Sequence, residues 1–227
     1  MVYYLETRST DPYYNLAFEE YVLTHRTEGD YLLLWQNDNT VVVGRNQNTA
    51  EEINADFVEA HHIRVVRRGT GGGAVYHDLG NLNYSFITDA GEKEKLSFAR
   101  FTEPVVKVLC ELGLSASASG RNDILVDGCK VSGTAQRLSG DRVLHHGTLL
   151  FDSDPSLVAG ADCPPGEVPV QERQIGARPY RQYPQLPAGG HDPARILGIP
   201  SHGTCTGRVS GDDPDGGGIA GGTAPAG

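Results

Sequence analysis

The sequence predicts an α+β fold, in which short strands and hairpins combine with two helices. Apolar residues alternate with polar ones along segments such as LNYSFI, residues 82–87, as they do in half-buried strands. Two longer segments, residues 11–25 and 97–113, space their apolar residues as amphipathic helices do. Several strand segments follow one another without a helix between them, and this order argues against a doubly wound parallel sheet.

The composition of the 227 residues indicates one domain with enough chain for a core. The formal charge of -10 argues against nonspecific binding to nucleic acid, although a local basic site for a small phosphate stays open. The four cysteines form no CxxC pair, which favours a reducing compartment over a disulfide framework. No signal pattern opens the chain, and no apolar run approaches the ~18 residues that span a bilayer. We therefore expect a cytoplasmic protein that binds no nucleic acid and no membrane.

The chain divides by composition at about residue 154. Residues 1–154 hold only two of the 13 prolines and read as alternating elements. Residues 155–227 hold the other 11 prolines and 15 of the 29 glycines, with little to bury at the end. We expect a folded part over 1–154 and a disordered tail over 155–227.

The first helix, over residues 11–25, has a capping residue in Asp11 and a first-turn proline in Pro12. The segments YLLLW and TVVV, separated by QNDN, predict a hairpin of two buried strands. Further strands are predicted at IRVVRR and LNYSFI. The second helix, over 97–113, ends at Gly113. After it, NDILVDGCKVSGTAQ predicts two strands joined by a turn at Asp127 and Gly128, and HHGTLLFD is the last strand.

A run of three glycines follows two arginines in RRGTGGGAVYHD, residues 67–78. Glycines after a strand let the backbone approach a ligand and offer N–H groups to an anion, although a turn or bulge is the plainer alternative. The neighbouring guanidinium groups favour phosphate or carboxylate. The P-loop is excluded because no GK followed by Ser or Thr is present. Gly69, Gly71 and Ala74 fit the dinucleotide fingerprint, but a strand-like segment follows where that motif needs a helix.

Five segments together resemble the lipoate–protein ligases and lie in the order expected for that family between residues 11 and 154. They are DPYYNLAFEE, NTVVVGRNQN, RRGTGGGAVYHDLGNLNYSFI, SGRNDILVDGCKVSGTAQR and HHGTLLFD. The family is grouped with biotin ligases and octanoyl transferases. The resemblance implies a mixed, largely antiparallel sheet flanked by helices. It also implies that ATP and lipoate form lipoyl-AMP, and that the lipoyl group then passes to a lysine of a lipoyl domain of a 2-oxoacid dehydrogenase or of the glycine-cleavage H protein.

The resemblance implies a role for each matching residue. Lys130 matches the essential lysine, which would sit between the lipoate carboxylate and the α-phosphate, although a surface lysine after a turn is the plainer reading. Gly72 and His146 match residues around lipoate, and Asp123 is a candidate for holding Mg²⁺ against phosphate oxygens. The apolar strands around Trp35 and Val41–Val43 would hold the dithiolane chain. The residues expected to bind ATP and lipoyl-AMP, besides Lys130, are Arg68, Gly73, Ala74, Val75, Tyr76, Asn122 and Asp123.

Two other functions stay open. An octanoyl or lipoyl transferase would use a cysteine nucleophile, and Cys129 adjoins Lys130. However, alternation along a strand would point the two side chains to opposite faces, and a reactive thiol needs a base or a positive environment. The other alternative is an inactive remnant of the fold that only binds lipoate or an acceptor.

The tail departs from the family after residue 154. Ligases continue with a segment like SKxxKSVRxRxxNI, whereas residues 170–183 are VQERQIGARPYRQY. Read one nucleotide forward, codons compatible with these residues encode SKSGKSVRARIANI, so we infer a frameshift between about Pro155 and Glu167. Without that segment and the accessory domain that follows it in many ligases, we expect the 227-residue chain to lipoylate an acceptor weakly or not at all.

Overall fold

The computed structural model describes residues 2–91, 97–120 and 122–161. The strands in this part of the chain are β1 (Val2–Glu6), β2 (Asp30–Trp35), β3 (Thr40–Val43), β4 (Arg64–Arg67), β5 (Val75–His77), β6 (Asn81–Asp89), β7 (Ala116–Ser119), β8 (Asp123–Val126), β9 (Cys129–Ser139) and β10 (Arg142–Leu150). The helices are α1 (Pro12–His25), α2 (Thr49–Glu52), α3 (Ala55–Ala60), α4 (Ala99–Glu111) and α5 (Pro155–Ala161).

The strands form one large and one small sheet. The large sheet has seven strands in the order β1-β2-β6-β10-β9-β8-β7, and the small sheet has three in the order β4-β3-β5. β1 runs parallel to β2 and β3 runs parallel to β4, whereas the other neighbouring strands are antiparallel. The predicted α+β class and the mixed, largely antiparallel sheet are confirmed.

The predicted hairpin of β2 and β3 is wrong, although both strands exist. β2 lies between β1 and β6 in the large sheet, while β3 is the middle strand of the small sheet. The residues between them carry the chain from one sheet to the other, and Asn39 turns it with a φ of 41°. Both strands are almost wholly apolar, so their pattern could not indicate which neighbours they pair with.

The two long helices cover opposite faces of the large sheet. Asp11 caps α1 as predicted, since its Oδ1 accepts a hydrogen bond from the Tyr14 N–H at 2.8 Å. Val22 and Leu23 of α1 pack against one face, in a cluster with residues of β1, β2, β6 and β10. On the other face, α4 packs a second cluster against β6, β8, β9 and β10; its buried members are Leu34, Leu82, Tyr84, Val105, Leu109, Ile124, Val126, Val131 and Leu149.

The small sheet has a core of its own, which extends the fold past residue 154. Val41 and Val43 of β3 pack with Val58 of α3 and with Ala161 of α5. Helix α5 covers residues that the composition assigned to the disordered tail, so the predicted boundary at 154 is too early. The rest of that tail, residues 162–227, lies outside the described residues.

A β-bulge between β8 and β9 changes which side chains face each surface of the sheet. The turn at Asp127 and Gly128 is present as predicted, with φ values of 48° and 78°. Leu125 pairs with Lys130, but Ile124 pairs with Ser132, so one extra residue of β9 is accommodated between them. Because of that insertion, Lys130 lies on the same surface as Gly133. A Cβ built on Gly133 would be 3.5 Å from the lysine Nζ.

None of the helices in the described ranges has the length and apolar character needed to cross a bilayer.

Gly80 lets the turn that leads into α5 lie directly against β6. Its carbonyl accepts hydrogen bonds from the N–H groups of Phe151 and Asp152, both at 3.0 Å. A Cβ built on Gly80 would lie 2.1 Å from backbone atoms of Asp152, which cannot move aside as a side chain can.

We expect Gly80→Ala to lower the free energy of unfolding by about 1–3 kcal/mol, because the methyl group must displace this turn. Chemical denaturation measures the loss. Gly71→Ala is the matched control, since a Cβ there meets nothing within 4 Å. Equal stability of the two variants would show that the turn moves freely.

Candidate functional site

The glycine-rich loop between β4 and β5 lies across the surface of the large sheet that α1 also covers. The hydroxyl of Thr70 is 2.7 Å from Nε2 of His146, on β10. A Cβ built on Gly69 would lie 2.3 Å from Nη1 of Arg137, on β9. Arg137 in turn forms a two-pronged ion pair with Glu20 of α1, at 2.6 and 2.9 Å. The loop is therefore positioned over two strands of the large sheet.

Arg68 holds the loop from the inside. Its Nη2 donates to the carbonyls of Gly71 and Gly73 at 2.9 and 2.7 Å, its Nη1 to Val42 O at 2.9 Å and its Nε to Thr70 Oγ1 at 3.1 Å. Only 9% of the residue is exposed. Burial lowers the pKa of Arg68 to about 10, against the opposing effect of the Glu19 carboxylate, so the group stays charged at neutral pH. The guanidinium therefore braces the loop, and the direct contact of Arg68 with ATP stays a prediction.

The carbonyls that Arg68 binds determine where the loop's N–H groups point. In a planar trans peptide the C=O and the following N–H point in opposite directions. The N–H groups of Gly72 and Ala74 therefore point away from the guanidinium, and neither has an acceptor within the described residues. No atom lies within 4 Å of a Cβ built on Gly71 or Gly73. The loop thus presents free donors beside open space, as an anion site requires.

Arg67 braces a second loop. Its Nη1 donates to the carbonyls of Gly44 and Gln47 at 2.7 and 2.8 Å, and its Nη2 to the Thr49 hydroxyl at 2.7 Å. The sequence left open whether Arg67 faces solvent or pairs with an acid. In the structure it holds the polar loop that follows β3.

A chain of buried hydrogen bonds runs from the core to the glycine-rich loop. The indole N–H of Trp35 donates to Ser85 Oγ at 3.0 Å, and the Ser85 hydroxyl donates to Glu19 Oε1 at 2.5 Å. The Glu19 carboxylate is 2.9 Å from Nδ1 of His146, whose other nitrogen reaches Thr70. Because a carboxylate only accepts, Nδ1 carries a proton. His146, predicted beside lipoate, is tied at both ring nitrogens and directly supports the loop.

Lys130 and Asp123 form an ion pair of 2.9 Å on the same surface of the large sheet, with side-chain exposures of 12% and 20%. Gly133, which Lys130 overlies, is two residues from Ala135, and Ala135 pairs with His146. Two residues along a strand are about 7 Å apart, so Lys130 lies on the same surface as His146, the residue that contacts the glycine-rich loop. Asn122 is next to this pair, and its carbonyl accepts hydrogen bonds from the Thr134 N–H and hydroxyl.

Several predicted residues contribute only their backbone here. The side chain of Tyr76 is in the core of the small sheet with Val41 and Val43, and Ala74 packs against that core. The two valines thus lie in the core of the small sheet, whereas Trp35 lies at the start of the buried hydrogen-bond chain that ends at the loop.

Four residues of the site were not singled out from the sequence: Glu19, Glu20, Thr70 and Arg137. One signal was available for Glu19. It lies on the inward stripe of α1 with Asn15 and Val22, where an aliphatic residue is the usual choice. A carboxyl group in that stripe indicates a buried polar partner. Thr70 and Arg137 offer no such signal.

Metal ligands are sparse in the described ranges, where no group of three His, Cys, Asp or Glu side chains converges. Asp123 is the candidate predicted from the sequence. Mg²⁺ typically binds one or two carboxylates together with substrate phosphates, so a single aspartate beside a phosphate site fits that ion.

The family model for the lipoyl protein ligase A/B catalytic domain matches residues 11–174. The chain belongs to this family. Curated relatives of this chain include lipoate-protein ligase LplJ of Bacillus subtilis. It is 53% identical over 152 residues, which are 66% of this chain and 46% of LplJ. Lipoate–protein ligase 1 of Staphylococcus aureus is 50% identical over 153 residues, 67% of this chain and 47% of the relative. The chain spans about half the length of these relatives.

Solved structures of ligases share the fold of this family member. P. falciparum LipL1 in complex with lipoate has a TM-score of 0.68 at 28% identity, covering 74% of this chain and 53% of LipL1. A bi-partite lipoate protein ligase from Thermoplasma acidophilum, described with its E2 lipoyl domain, has a TM-score of 0.67 at 30% identity, covering 73% and 67%. A lipoate-protein ligase A bound with ATP has a TM-score of 0.65 at 25% identity, covering 77% and 80%. The resemblance stated from the sequence is confirmed.

Two buried histidines connect the site to the pH dependence of stability. Burial, aided by Arg68 and His146, lowers the pKa of His77 to about 3. Burial, aided by His146, also lowers the pKa of His145 to about 3. In the unfolded chain a histidine titrates near pH 6.5, so between about pH 6.5 and 3 the unfolded state binds more protons. Both groups therefore stabilise the fold above this window and lose that effect as the pH falls through it.

We expect His145→Phe to reduce the acid sensitivity of folding, by up to about 1.4 kcal/mol per pH unit between pH 6 and 4. The new ring would keep the stacking on Phe101, whose centroid is 4.7 Å from that of His145. Urea denaturation at several pH values measures the slope. His62→Asn, which removes an exposed histidine, serves as the control. An unchanged slope in His145→Phe would contradict the assignment.

Proposed function

We propose that this chain carries the catalytic domain of an ATP-dependent lipoate–protein ligase. Lipoate and ATP would form lipoyl-AMP and pyrophosphate, and the lipoyl group would then be transferred to a lysine of an acceptor protein. The observation that carries the proposal is the partly buried Lys130–Asp123 pair, on the same sheet surface as a glycine-rich loop with unpaired N–H groups. Both lie within the residues that match the family model.

The first step brings two anions together. A lipoate carboxylate oxygen attacks the α-phosphorus, and the bond to the β-phosphate oxygen breaks. Lys130 reduces the repulsion between these groups and stabilises the charge that develops on the α-phosphoryl oxygens. Asp123 orients the lysine by its 2.9 Å contact. The N–H groups of Gly72 and Ala74 would bind the nucleotide phosphate. The protein forms no covalent bond to either substrate in this step, so it acts by positioning them.

The remaining predicted ligands follow from this placement. Gly73, Ala74, Val75 and Tyr76 would offer backbone to lipoyl-AMP, and Asn122 would lie beside the adenylate. Gly72 and His146 would border lipoate. Mg²⁺, if held by Asp123, supplies charge neutralisation of the phosphates.

In the second step an acceptor lysine attacks the mixed anhydride, and AMP leaves. We propose lipoyl domains of 2-oxoacid dehydrogenases or the glycine-cleavage H protein as acceptors. The description of the Thermoplasma ligase with its E2 lipoyl domain supports this class of partner. We place the reaction in the cytoplasm, consistent with the free thiols of Cys110 and Cys129.

The transferase alternative would need Cys129 as nucleophile. Regular pairing of Cys129 with Val126 and of Lys130 with Leu125 keeps the alternation at this point. The thiol therefore points to the other surface of the sheet, away from Lys130 and from the loop. This orientation favours the ligase over the transferase.

For the tail we propose that the frameshift follows α5, and that a chain restored to the other frame regains the missing segment. Pyrophosphate exchange with ATP and lipoate tests the function in both chains. Exchange in the restored chain distinguishes a ligase from a transferase and from an inactive remnant, which both lack it.

We expect Lys130→Ala to lower lipoyl-AMP formation by about 10²–10³-fold, because it removes the charge partner of the reacting groups. The measurement is exchange in the restored chain, with melting temperature as the check on folding. Lys107→Ala is the matched control, since Lys107 is 78% exposed on α4. Cys129→Ala should retain activity. Adenylate formation by Lys130→Ala at the parental rate would overturn the assignment.

We expect Gly73→Val to impair exchange strongly while leaving the melting temperature nearly unchanged. A Cβ on Gly73 meets nothing within 4 Å, so the free protein accommodates it, but the side chain would occupy space beside the loop's free N–H groups. Gly72→Val is less informative, because its φ of 98° strains any side chain. Matching losses of stability and activity in Gly73→Val would instead support a structural turn.

A further inference from the structure

We propose that Arg45 binds the β- and γ-phosphates of ATP and the pyrophosphate that leaves. This inference rests on the proposed ligase function and adds a residue to it. The sequence assigned the ATP-contacting cation to Arg68, which the structure uses as a brace. With the Arg68 guanidinium engaged by the loop, a second arginine at the loop's edge is the candidate cation for the outer phosphates, in addition to any Mg²⁺.

Arg45 lies directly beside the glycine-rich loop. Its backbone N–H donates to the carbonyl of Thr70 at 2.8 Å. The preceding residue, Gly44, is so close to the loop that a Cβ there would lie 2.0 Å from the carbonyl oxygen of Gly72. The two loops thus lie directly against each other, and the side chain of Arg45 begins beside the backbone of the glycine-rich loop.

Within the described residues, the other cations of this surface are already paired. Arg67 and Arg68 hold the two loops, and Arg137 pairs with Glu20. Lys130 pairs with Asp123 and is assigned to the α-phosphate. Arg45 differs, since its side chain is exposed and its guanidinium has no hydrogen bond or ion pair within the ranges that the structure describes.

The backbone of the loop that carries Arg45 is held by several hydrogen bonds from side chains. Arg67 binds the carbonyls of Gly44, Arg45 and Gln47, at 2.7, 3.3 and 2.8 Å. The Gln47 side chain also accepts from the Gly44 N–H at 2.7 Å. Fixing the backbone on both sides of Arg45 fixes where its side chain begins, which lowers the backbone part of the entropic cost of binding an anion.

The chemistry of the first step calls for a cation there. When the bond between the α-phosphorus and the bridging oxygen breaks, the electron pair leaves with pyrophosphate, which gains negative charge. A guanidinium binds phosphate oxygens through two parallel hydrogen bonds and stabilises that leaving group. Arg45 would therefore recognise ATP and pyrophosphate, but not AMP.

Calorimetric titration of the 227-residue chain with ATP, inorganic pyrophosphate and AMP tests the proposal. We expect Arg45→Ala to weaken binding of ATP and pyrophosphate by about ten- to a hundredfold, with AMP unchanged. Arg45→Lys should recover part of the loss, because it keeps the charge. Lys107→Ala, a charge removal on the far side of the sheet, should bind all three ligands as the parent does.

The outcomes separate this inference from the proposed function. If neither the 227-residue chain nor the restored chain binds ATP or pyrophosphate, both fall. If the parent binds them and Arg45→Ala binds them equally well, only the role of Arg45 is overturned. Equal weakening of AMP binding would place the guanidinium at the α-phosphate and would also overturn the proposal. Unchanged ATP affinity with loss of acceptor lipoylation in the restored chain would assign Arg45 to the acceptor protein instead.

Discussion

Arg68 donates from all three nitrogens of its guanidinium to oxygens of the strand and loop around it, in a position that is almost wholly buried. An unpaired charge in such a place would be very costly, so the surrounding carbonyls must turn inward. That requirement gives the glycine-rich loop its shape and turns N–H groups outward. The proposed anion site is therefore a consequence of satisfying one buried cation.

The loop belongs to the small sheet, but its support comes from the large one. Thr70 reaches His146 of β10, and Glu19 of α1 holds the other side of that histidine. When several buried polar groups are linked by hydrogen bonds, few orientations satisfy all of them. This restricts the relative position of the two sheets. A site at the junction of two sheets is thus positioned by hydrogen bonds as well as by apolar packing.

Lys130 reaches the same surface through a local irregularity. Without the bulge between β8 and β9, the alternation of a strand would place Lys130 with Ser132, whose hydroxyl is buried near Tyr84 on the α4 side. The extra residue shifts the lysine to the surface where it overlies Gly133 and meets Asp123. The register of one hairpin therefore decides whether the lysine can face the loop.

The sequence alone determined the features that depend on neighbours along the chain. Asp11 and Pro12 start α1, Asp127 and Gly128 form a turn, and the run at Gly71–Gly73 marks a loop open to a ligand, because each depends on backbone geometry within a few residues. The family followed from spaced motifs of the same kind, and so did the proposal that Lys130 is the essential lysine. Only the tertiary structure decided that β2 and β3 belong to different sheets, since the apolar pattern of a strand does not specify which strands it pairs with. It also decided that Arg68 points inward, where Val42 of β3 completes its partners, and that Glu19 supports the loop through β10, because Val42 and His146 are both distant in sequence from the charges they contact.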